Sequence, residues 1–385
     1  MYRRNVRLTT GLGGLKPIWI LVPNSLEPLR KGTGFRAVTV RRIFPTSLLL
    51  LFVFAGRVQS AIFDEKNYGG KADGKPDIRK ALLGGWKEAC SAKGSNRVVV
   101  PKGTYSIIQR TLLASINPSK YAKDNWITFA YIDRFKLSGG GTFDGQGQVA
   151  WKQNNCGRNP KCKRLPISLR FDFITNSVVQ DVTSLDSKNF HVCGKNLTFD
   201  CFTISAPGDS VNTDGIHIGH SNGINIINSN IATGDDCISI GGKTTDEFVS
   251  GIFIRNCTFY DTNNGVRIKT WPALHRGIAS NMHFEDIMMK NVRNPIVIDQ
   301  VYCPRNQCNP KLPSKVKIAN VTFENIRGSL ATAVAVRLNC NSSFPCQKVE
   351  LADINLMYRG KEGPAKSLCA NVKPTLKEKL TPTIC

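Results

Sequence analysis

Acidic residues are scarce in this chain. Its 385 residues contain 28 Asp and Glu against 52 Lys and Arg, so the formal net charge is +24. A net positive surface favours an anionic partner and speeds its arrival. Nucleic acid would fit that charge, but the sequence contains no zinc finger, RNP motif or clustered arginine helix. We therefore do not expect nucleic acid, and we predict an acidic polysaccharide as the partner.

Long hydrophobic runs are missing as well. The apolar run at residues 48–55 follows two arginines and precedes a small residue, Ser60. It is shorter than the roughly 20 residues that a membrane-spanning helix needs, and it fits a signal peptide cleaved after Ser60. We predict that residues 1–60 are a leader and signal peptide, and that residues 61–385 are one secreted domain without stable membrane association. An uncleaved anchor is the alternative.

The Cys-x-x-Cys repeats of a zinc site are absent, although the chain has 13 cysteines. Many of them lie in short local pairs, which disulfides in an oxidising compartment explain better. Those pairs are Cys156 with Cys162, Cys303 with Cys308, and Cys340 with Cys346. Four Asn-x-Ser/Thr sequons are also compatible with a secretory route.

Tight two-residue hairpin turns are scarce, which argues against the alternative of a β-sandwich. The chain instead has short β-rich runs separated by Gly, Asn and Asp. The later runs begin at Gly223, Gly251, Asn281 and Lys315, so successive starts are 28, 30 and 34 residues apart. Repeats of this length built from strands alone predict an all-β fold, a single right-handed parallel β-helix. An amphipathic helix predicted over Asp77–Cys90 would cap its N-terminal end.

Three acids fall where adjacent coils would bring them together. Asp214 lies in Asn-Thr-Asp-Gly, and Asp235 with Asp236 lies 21 residues later in Gly-Asp-Asp. Residues one coil apart stack at the strand spacing of about 4.8 Å. Clustered carboxylates repel one another, so one can hold a proton while another stays ionised, as cleavage of a glycosidic bond requires. Each motif alone would indicate only a turn; together they indicate a site.

Two cations follow the acids. Arg267 and Lys269 are two residues apart in a predicted strand, so their side chains point to the same face. Such a pair alone would indicate a solvated strand face. Next to three acids it predicts binding of a substrate carboxylate, which Arg can hold through two parallel hydrogen bonds.

In these motifs the sequence resembles the polygalacturonases, pectin-cleaving glycoside hydrolases with a pectin-lyase-like right-handed parallel β-helix. The resemblance runs from Ile62 to Lys373 and includes the Gly141–Gly145 segment, both acid motifs and Arg267-Ile268-Lys269. The segment from Asp299 to Pro304 resembles the plant, pollen-type exopolygalacturonases in particular.

The resemblance implies a role for each residue. Asp235 would be the general acid, and Asp214 with Asp236 would activate water in an inverting hydrolysis of α-1,4-galacturonosyl linkages in polygalacturonate or pectin. Arg267 and Lys269 would bind the galacturonate carboxylate, and Tyr302 would line the same cleft. It implies exo rather than endo action, no metal or cofactor, a monomer, and an extracellular location in the cell wall.

One family motif is missing. The polygalacturonases carry Gly-His-Gly between Gly-Asp-Asp and Arg-Ile-Lys, whereas here Gly241 runs almost directly to Gly251 without a histidine. The resemblance also implies that Cys237 has lost its disulfide partner, so about one coil is deleted. Removing a whole coil keeps a solenoid in register. We place His217 and His220 in the strand and turn after Asp214 and not in the role of the missing histidine.

In the family, two rungs separate the cations from the acids. The deletion would leave a separation of one rung. That is a shift of about 4.8 Å, and a misplacement of ~1 Å can cost about a hundredfold in rate. The alternative to an active hydrolase is therefore a weak or inactive pectin-binding pseudoenzyme, or a truncated gene model.

Overall fold

The computed structural model describes residues 111–121 and 124–385, apart from 157–158, 160–161, 242–246, 305–307 and 310–311, and short pieces before residue 111. The predicted signal peptide at residues 48–60 lies outside the described residues. So does most of the predicted capping helix, of which Gly84, Gly85 and Glu88 are helical. Asp77, where that helix was predicted to begin, instead ends a strand, so the prediction was wrong at this residue.

Nine strands form one large sheet, which carries the predicted site residues. In chain order they are Asn125–Ala130, Ile167–Asp172, Val192–Gly194, Ile216–Ile218, Asp236–Ile240, Asn264–Lys269, Asn294–Asp299, Val334–Asn339 and Lys366–Ala370. Each strand pairs in parallel with the one before it in this order. Each coil of the chain therefore contributes one strand to this sheet.

The second large sheet has fourteen strands. Its shorter strands are Thr111–Leu113, Lys136–Leu137, Thr142–Asp144, Ser177–Gln180, Thr183–Leu185, Leu197–Asp200, Thr203–Ser205, Asn222–Ile227 and Asn230–Ala232. Its longer strands are Glu247–Tyr260, Ala273–Val292, Ser314–Leu330, Gln347–Met357 and Thr375–Thr381. The shorter strands form two columns, and both columns pair with Glu247–Tyr260.

The other elements are small. A four-stranded sheet joins Asn5–Leu8, Ile18–Leu21, Ile62–Asp64 and Arg97–Val99, and Asp73–Asp77 pairs with Thr104–Ser106. The helices with described bounds are a 3-10 turn, Pro118–Lys120, and an α-helix, Gln148–Gln153. Among the described residues, no helix is long and apolar enough to cross a membrane.

The core consists of side chains stacked from rung to rung between the two large sheets. In the nine-stranded sheet, Ile216 pairs with Ile238, which pairs with Val266, and the column continues through Ile296 to Val336. All five are at most 1% exposed, and each buried aliphatic side chain of this size contributes about 1.5–3 kcal/mol. Each coil contributes one strand to this sheet, and the strands of successive coils pair in parallel. This arrangement confirms the predicted β-helix. The inward residues alternate with outward ones, and the outward ones on this sheet form the candidate site.

Candidate active site

The acids lie where strands of the nine-stranded sheet begin. Asp236 is the first residue of Asp236–Ile240, and Asp214 lies two residues before the first residue of Ile216–Ile218. Because Ile216 pairs with Ile238, Asp214 falls opposite Asp236 on the neighbouring rung. The Gly215 amide donates to the Asp236 carbonyl at 2.7 Å. The two acid motifs therefore lie on adjacent rungs as predicted, but Asp236 and not Asp235 stands opposite Asp214.

Glycines allow the two turns to approach each other closely. A Cβ added at Gly215 would lie 2.5 Å from the Cys237 carbonyl oxygen, and one at Gly234 would lie 2.0 Å from the Ser210 carbonyl oxygen. Thr213 links the turns, since its hydroxyl contacts Ser210 Oγ at 2.6 Å and accepts from the Gly234 amide at 3.1 Å. The Asn-Thr-Asp-Gly and Gly-Asp-Asp sequences thus form the turns and also position the carboxyl groups of the cluster.

Two cations on the next strand contact the acids directly. Lys269 Nζ lies 2.6 Å from Asp236 Oδ2 and 3.3 Å from Asp214 Oδ2, and it donates to both. Arg267 Nη1 donates to Asp236 Oδ1 at 3.4 Å, and the Asn264 side-chain amide donates to the same oxygen at 2.8 Å. Both oxygens of Asp236, which is fully buried, are therefore engaged.

These contacts give the three carboxyl groups different proton affinities. Burial, and then the charges of Asp214 and Asp236, raise the pKa of Asp235 to about 8. Burial raises the pKa of Asp214 to about 6, opposed by Lys269. Burial also opposes ionisation of Asp236, but the charges of Lys269 and Arg267 outweigh it and lower its pKa. At neutral pH the cluster therefore combines a protonated Asp235 with an ionised Asp236.

The cations remain charged in spite of burial. Desolvation lowers the pKa of Lys269, but the charges of Asp214 and Asp236 outweigh it, so the net shift is upward. The pKa of Arg267 is likewise raised, by Asp236 above all, against the effect of burial. Arg267 also lies over the ring of Tyr302, 4.5 Å from its centroid, a cation–π contact. Its Nε is buried and without a hydrogen-bond partner in the described part of the chain.

The structure thus brings together Asp214, Asp235, Asp236, Arg267, Lys269 and Tyr302. It also confirms the spacing expected after loss of a coil, because Asp236 pairs with Asn264, and Ser239 with Arg267, on adjacent strands. The segment at residues 242–246, where the family motif is missing, lies outside the described residues. The catalytic and binding roles stay predictions.

Sequence reasoning missed a hydrogen-bond chain behind Asp214. Ser239 Oγ donates to Asp214 Oδ2 at 2.8 Å and lies 2.7 Å from His217 Nδ1. A hydroxyl has one proton, so His217 must donate from Nδ1 while Ser239 donates to the acid. Burial and the charge of Lys269 lower the pKa of His217 to about 3, so the ring is neutral. The strand register would have identified the pair of His217 and Ser239, because these residues and Arg267 occupy one column of the sheet.

Oxygens of Asp214, Asp235 and Asp236 lie within 4.8 Å of one another, close enough to chelate a cation. The Lys269 ammonium, however, already bridges Asp214 and Asp236. A divalent ion at that point would meet the charge of Lys269, so the donor set fits a cation poorly.

The cysteines largely follow the sequence prediction. All three predicted local pairs form disulfides, and a fourth joins Cys369 to Cys385. Four disulfides fit an extracellular protein. Cys237 is free and buried, as expected from the missing coil, and burial raises its thiol pKa.

Comparison with known proteins agrees with the geometry. The family model described as "Glycosyl hydrolases family 28" matches residues 90–245 and 238–381. The two matches meet at 238–245, beside the position where the Gly-His-Gly motif is missing. A polygalacturonase of Nicotiana tabacum is 45% identical over 385 residues, covering 88% of this chain and 96% of that protein. An exopolygalacturonase of Oenothera organensis is 48% identical over 355 residues, covering 80% and 98%.

Solved structures show the same fold. A polygalacturonase of Erwinia carotovora has a TM-score of 0.52 at 22% identity and covers 82% of this chain and 96% of that chain. An endo-xylogalacturonan hydrolase of Aspergillus tubingensis has a TM-score of 0.55 at 18% identity, with 81% and 96% coverage. These solved structures share the parallel β-helix fold with this chain, and the matching family model is one of glycoside hydrolases. This chain belongs to glycosyl hydrolases family 28.

Proposed function

We propose that this protein hydrolyses α-1,4-galacturonosyl linkages of polygalacturonate. The observation that carries the proposal is the contrast within the acid cluster, where burial and neighbouring charges raise the Asp235 pKa to about 8 while Lys269 and Arg267 lower the Asp236 pKa. Glycoside hydrolysis needs such a pair, one carboxyl protonated and one ionised. Curated relatives named polygalacturonase and exopolygalacturonase, at 45% and 48% identity, support the substrate.

Each acid has a distinct part in this mechanism. Asp235, partly exposed, donates its proton to the glycosidic oxygen as the bond to the anomeric carbon breaks. Asp214 and Asp236 activate the water that adds to that carbon. Of the two, Asp214 is the better proton acceptor, because its described hydrogen bonds fall on Oδ2, whereas both Asp236 oxygens are engaged. Water then loses one proton to the enzyme and the leaving group gains one.

The two cations and Tyr302 form the wall that faces the substrate. Arg267 and Lys269 are 17% and 12% exposed at their side chains, and both contact Asp236. In this proposal they serve the acids and the galacturonate carboxylate at once. Tyr302 orients the Arg267 guanidinium through the contact with its ring.

We further propose that the protein is exo-acting on de-esterified pectin in the cell wall. We also propose that it is secreted after cleavage at Ser60 and is a monomer. The residues Asp299 to Pro304 and the relatives named exopolygalacturonase support exo action. The disulfides support an extracellular location. These relatives also favour a working hydrolase over the alternative of a pectin-binding pseudoenzyme.

Release of reducing ends from polygalacturonate by the purified protein tests the proposal, with Asp235→Asn as the control. We expect release by the wild type and its loss in the variant. Monomeric galacturonate as the first product would support exo action, and a ladder of oligomers would indicate endo action. Tight binding of the polymer without release by the wild type would overturn the proposal in favour of the pseudoenzyme.

A further inference from the structure

Two of the four Asn-x-Ser/Thr sequons lie on the outward face of the fourteen-stranded sheet. Asn256 lies in Glu247–Tyr260 and Asn320 lies in Ser314–Leu330, and both residues are exposed. The mechanism above uses neither of them, because the acid cluster lies on the nine-stranded sheet. In a chain that enters the secretory route, a sequon is a candidate acceptor of an N-linked glycan.

Both asparagines lie at corners of the coil, where the backbone is left-handed. Asn256 has φ of 52° and Asn320 has φ of 57°, a conformation that Asn adopts more readily than most residues. The middle residue of each sequon, Cys257 or Val321, is buried. Because the sugar is attached before the chain has folded, the folded protein must leave room for it, and these corners do.

The side-chain amides can carry a sugar without losing their contacts. Asn256 Nδ2 donates to Asn228 Oδ1 at 2.8 Å, and Asn320 Nδ2 donates to Asn281 Oδ1 at 3.3 Å, each across to the preceding rung. An amide nitrogen has two protons, and each contact uses one. N-glycosylation replaces only the other proton, so both hydrogen bonds between rungs survive.

An exposed aromatic stack lies between the two sequons. Phe253 pairs with His283 on the next rung, and their rings stack at 5.0 Å with an interplanar angle of 12°. Phe253 is 43% exposed and lies three residues before Asn256, a stretch of at most about 11 Å. On the other side, His283 Nε2 lies 3.0 Å from Asn281 Oδ1, the oxygen that also accepts from Asn320.

A sugar attached beside this stack has a surface to pack against. A pyranose ring has C–H groups on its faces, and an aromatic ring left in water gains free energy when such an apolar surface covers it. An Asn side chain with one or two sugar rings can span the separation from either sequon. The stack is therefore placed to hold the first sugars of both glycans.

We propose that Asn256 and Asn320 carry N-linked glycans, whose first sugars cover the stack of Phe253 and His283. In each transfer the amide nitrogen bonds to the anomeric carbon of an oligosaccharide activated by a lipid diphosphate. The bond from that carbon to the diphosphate oxygen breaks, the lipid diphosphate leaves, and the proton lost by the nitrogen passes to solvent. The inference rests on the proposed secretion and is independent of the proposed hydrolysis.

Peptide mass spectrometry of the protein secreted by plant cells tests the modification. We expect the peptides with Asn256 and Asn320 to carry glycans, and enzymatic release in heavy-oxygen water to convert both residues to labelled Asp. Thr258→Val and Thr322→Val should each abolish the glycan of their own sequon while the asparagine and its hydrogen bond remain. Thr258→Ser should keep the glycan, because Ser also completes a sequon.

Acylation of histidine by diethyl pyrocarbonate tests the cover. We expect His283 to react several-fold more slowly in the glycosylated protein than in the double variant Thr258→Val with Thr322→Val. His220 is the internal control, because it is exposed in the turn after Ile216–Ile218 on the other large sheet. Its rate should be the same in both proteins.

A secreted protein with Asn256 or Asn320 unmodified would overturn the assignment of the glycans. Equal His283 rates in the glycosylated protein and the double variant would overturn the cover. A protein that stays in the cell without glycans would refute the secretion as well. None of these outcomes bears on hydrolysis, which release of reducing ends decides separately.

Discussion

The ammonium of Lys269 lies 2.6 Å from Asp236 Oδ2, across a single rung of the nine-stranded sheet. The resemblance to polygalacturonases led us to expect the cations one rung closer to the acids than in that family, a shift that threatens activity. At this closer position the charges of Lys269 and Arg267 outweigh the effect of burial and lower the pKa of Asp236, which keeps it ionised. That charge in turn raises the pKa of Asp235. In the proposed mechanism, a chain without this coil therefore still combines a protonated and an ionised carboxyl group.

Replacing Lys269 by Met should destabilise the protein by about 3–5 kcal/mol, the cost of leaving a buried charge without its partner. The measurement is urea unfolding at pH 7. Lys377→Ala is the control, because Lys377 pairs with Glu350 at 2.9 Å but is 55% exposed. Loss of this exposed ion pair should lower the free energy of unfolding by less than about 1 kcal/mol. Equal costs for the two variants would contradict the assigned role of Lys269.

The rate of hydrolysis should follow a bell-shaped pH profile. Asp214 must be ionised to accept a proton, so activity should fall as pH drops below its pKa of about 6. Asp235 must be protonated to donate, so activity should fall as pH rises above its pKa of about 8. The measurement is kcat/KM against pH, which reports groups of the free enzyme. A profile that stays flat across both of these pKa values would refute the assignments.

Ser239→Ala should move only the acidic limb of that profile. The Ser239 hydroxyl donates to Asp214 and stabilises its ionised form. Its removal should raise the Asp214 pKa, so that the limb shifts to higher pH while the alkaline limb stays in place. Ser184→Ala is a matched control, because Ser184 Oγ also contacts a buried histidine, His191, at 2.9 Å but is not bonded to an acid of the cluster. A purely structural role for Ser239 would lower activity at every pH and shift neither limb.

Most of the fold could be predicted because its signal is local and repeated. Strand-length runs such as Gly223–Ile226 and Gly251–Ile254 recur at one coil length, and the structure places both within paired strands. The start of the capping helix could not be predicted in the same way. Asp77 follows a turn-rich stretch and its strand depends on pairing with residues 104–106, a contact between residues far apart in sequence.

For the candidate site too, some residues could be predicted from the sequence and others could not. Motif residues such as Asp214 and Asp235 have a sequence signature of Asn, Asp and Gly. Ser239 and His217 have none, and only the register of adjacent strands brings them together. Burial and ion pairing then decide which acid holds the proton, and neither can be read from spacing.

Stability should fall as pH rises from about 6.5 to about 8. The ordinary pKa of an Asp is 3.8, and burial raises that of Asp214 to about 6 and that of Asp235 to about 8. Below about pH 6.5 the buried His191 and His217, whose pKa values burial lowers to about 3, oppose the two acids. Above it, Asp235 keeps a proton in the folded state that the unfolded state has lost, so rising pH favours unfolding. Asp236, with its lowered pKa, contributes the opposite trend only where pH falls below about 4. Thermal melting against pH measures the effect, and Asp235→Asn should flatten the upper part of the curve. A variant that melts with the wild-type slope would exclude Asp235 as its source.

Hydrolysis should invert the anomeric carbon. The separation alone would suggest otherwise, because the carboxyl oxygens lie within 4.8 Å and inverting enzymes usually space their acids about 6.5–9.5 Å apart. Retention, however, requires a free carboxylate as nucleophile. Asp236 is fully buried with both oxygens hydrogen-bonded, and Asp214 is tied to Lys269 and Ser239. Proton NMR of the first product, recorded before the anomers equilibrate, should show the β-anomer from α-linked substrate. The α-anomer would identify one of these two acids as a nucleophile that the ion pairs fail to restrain.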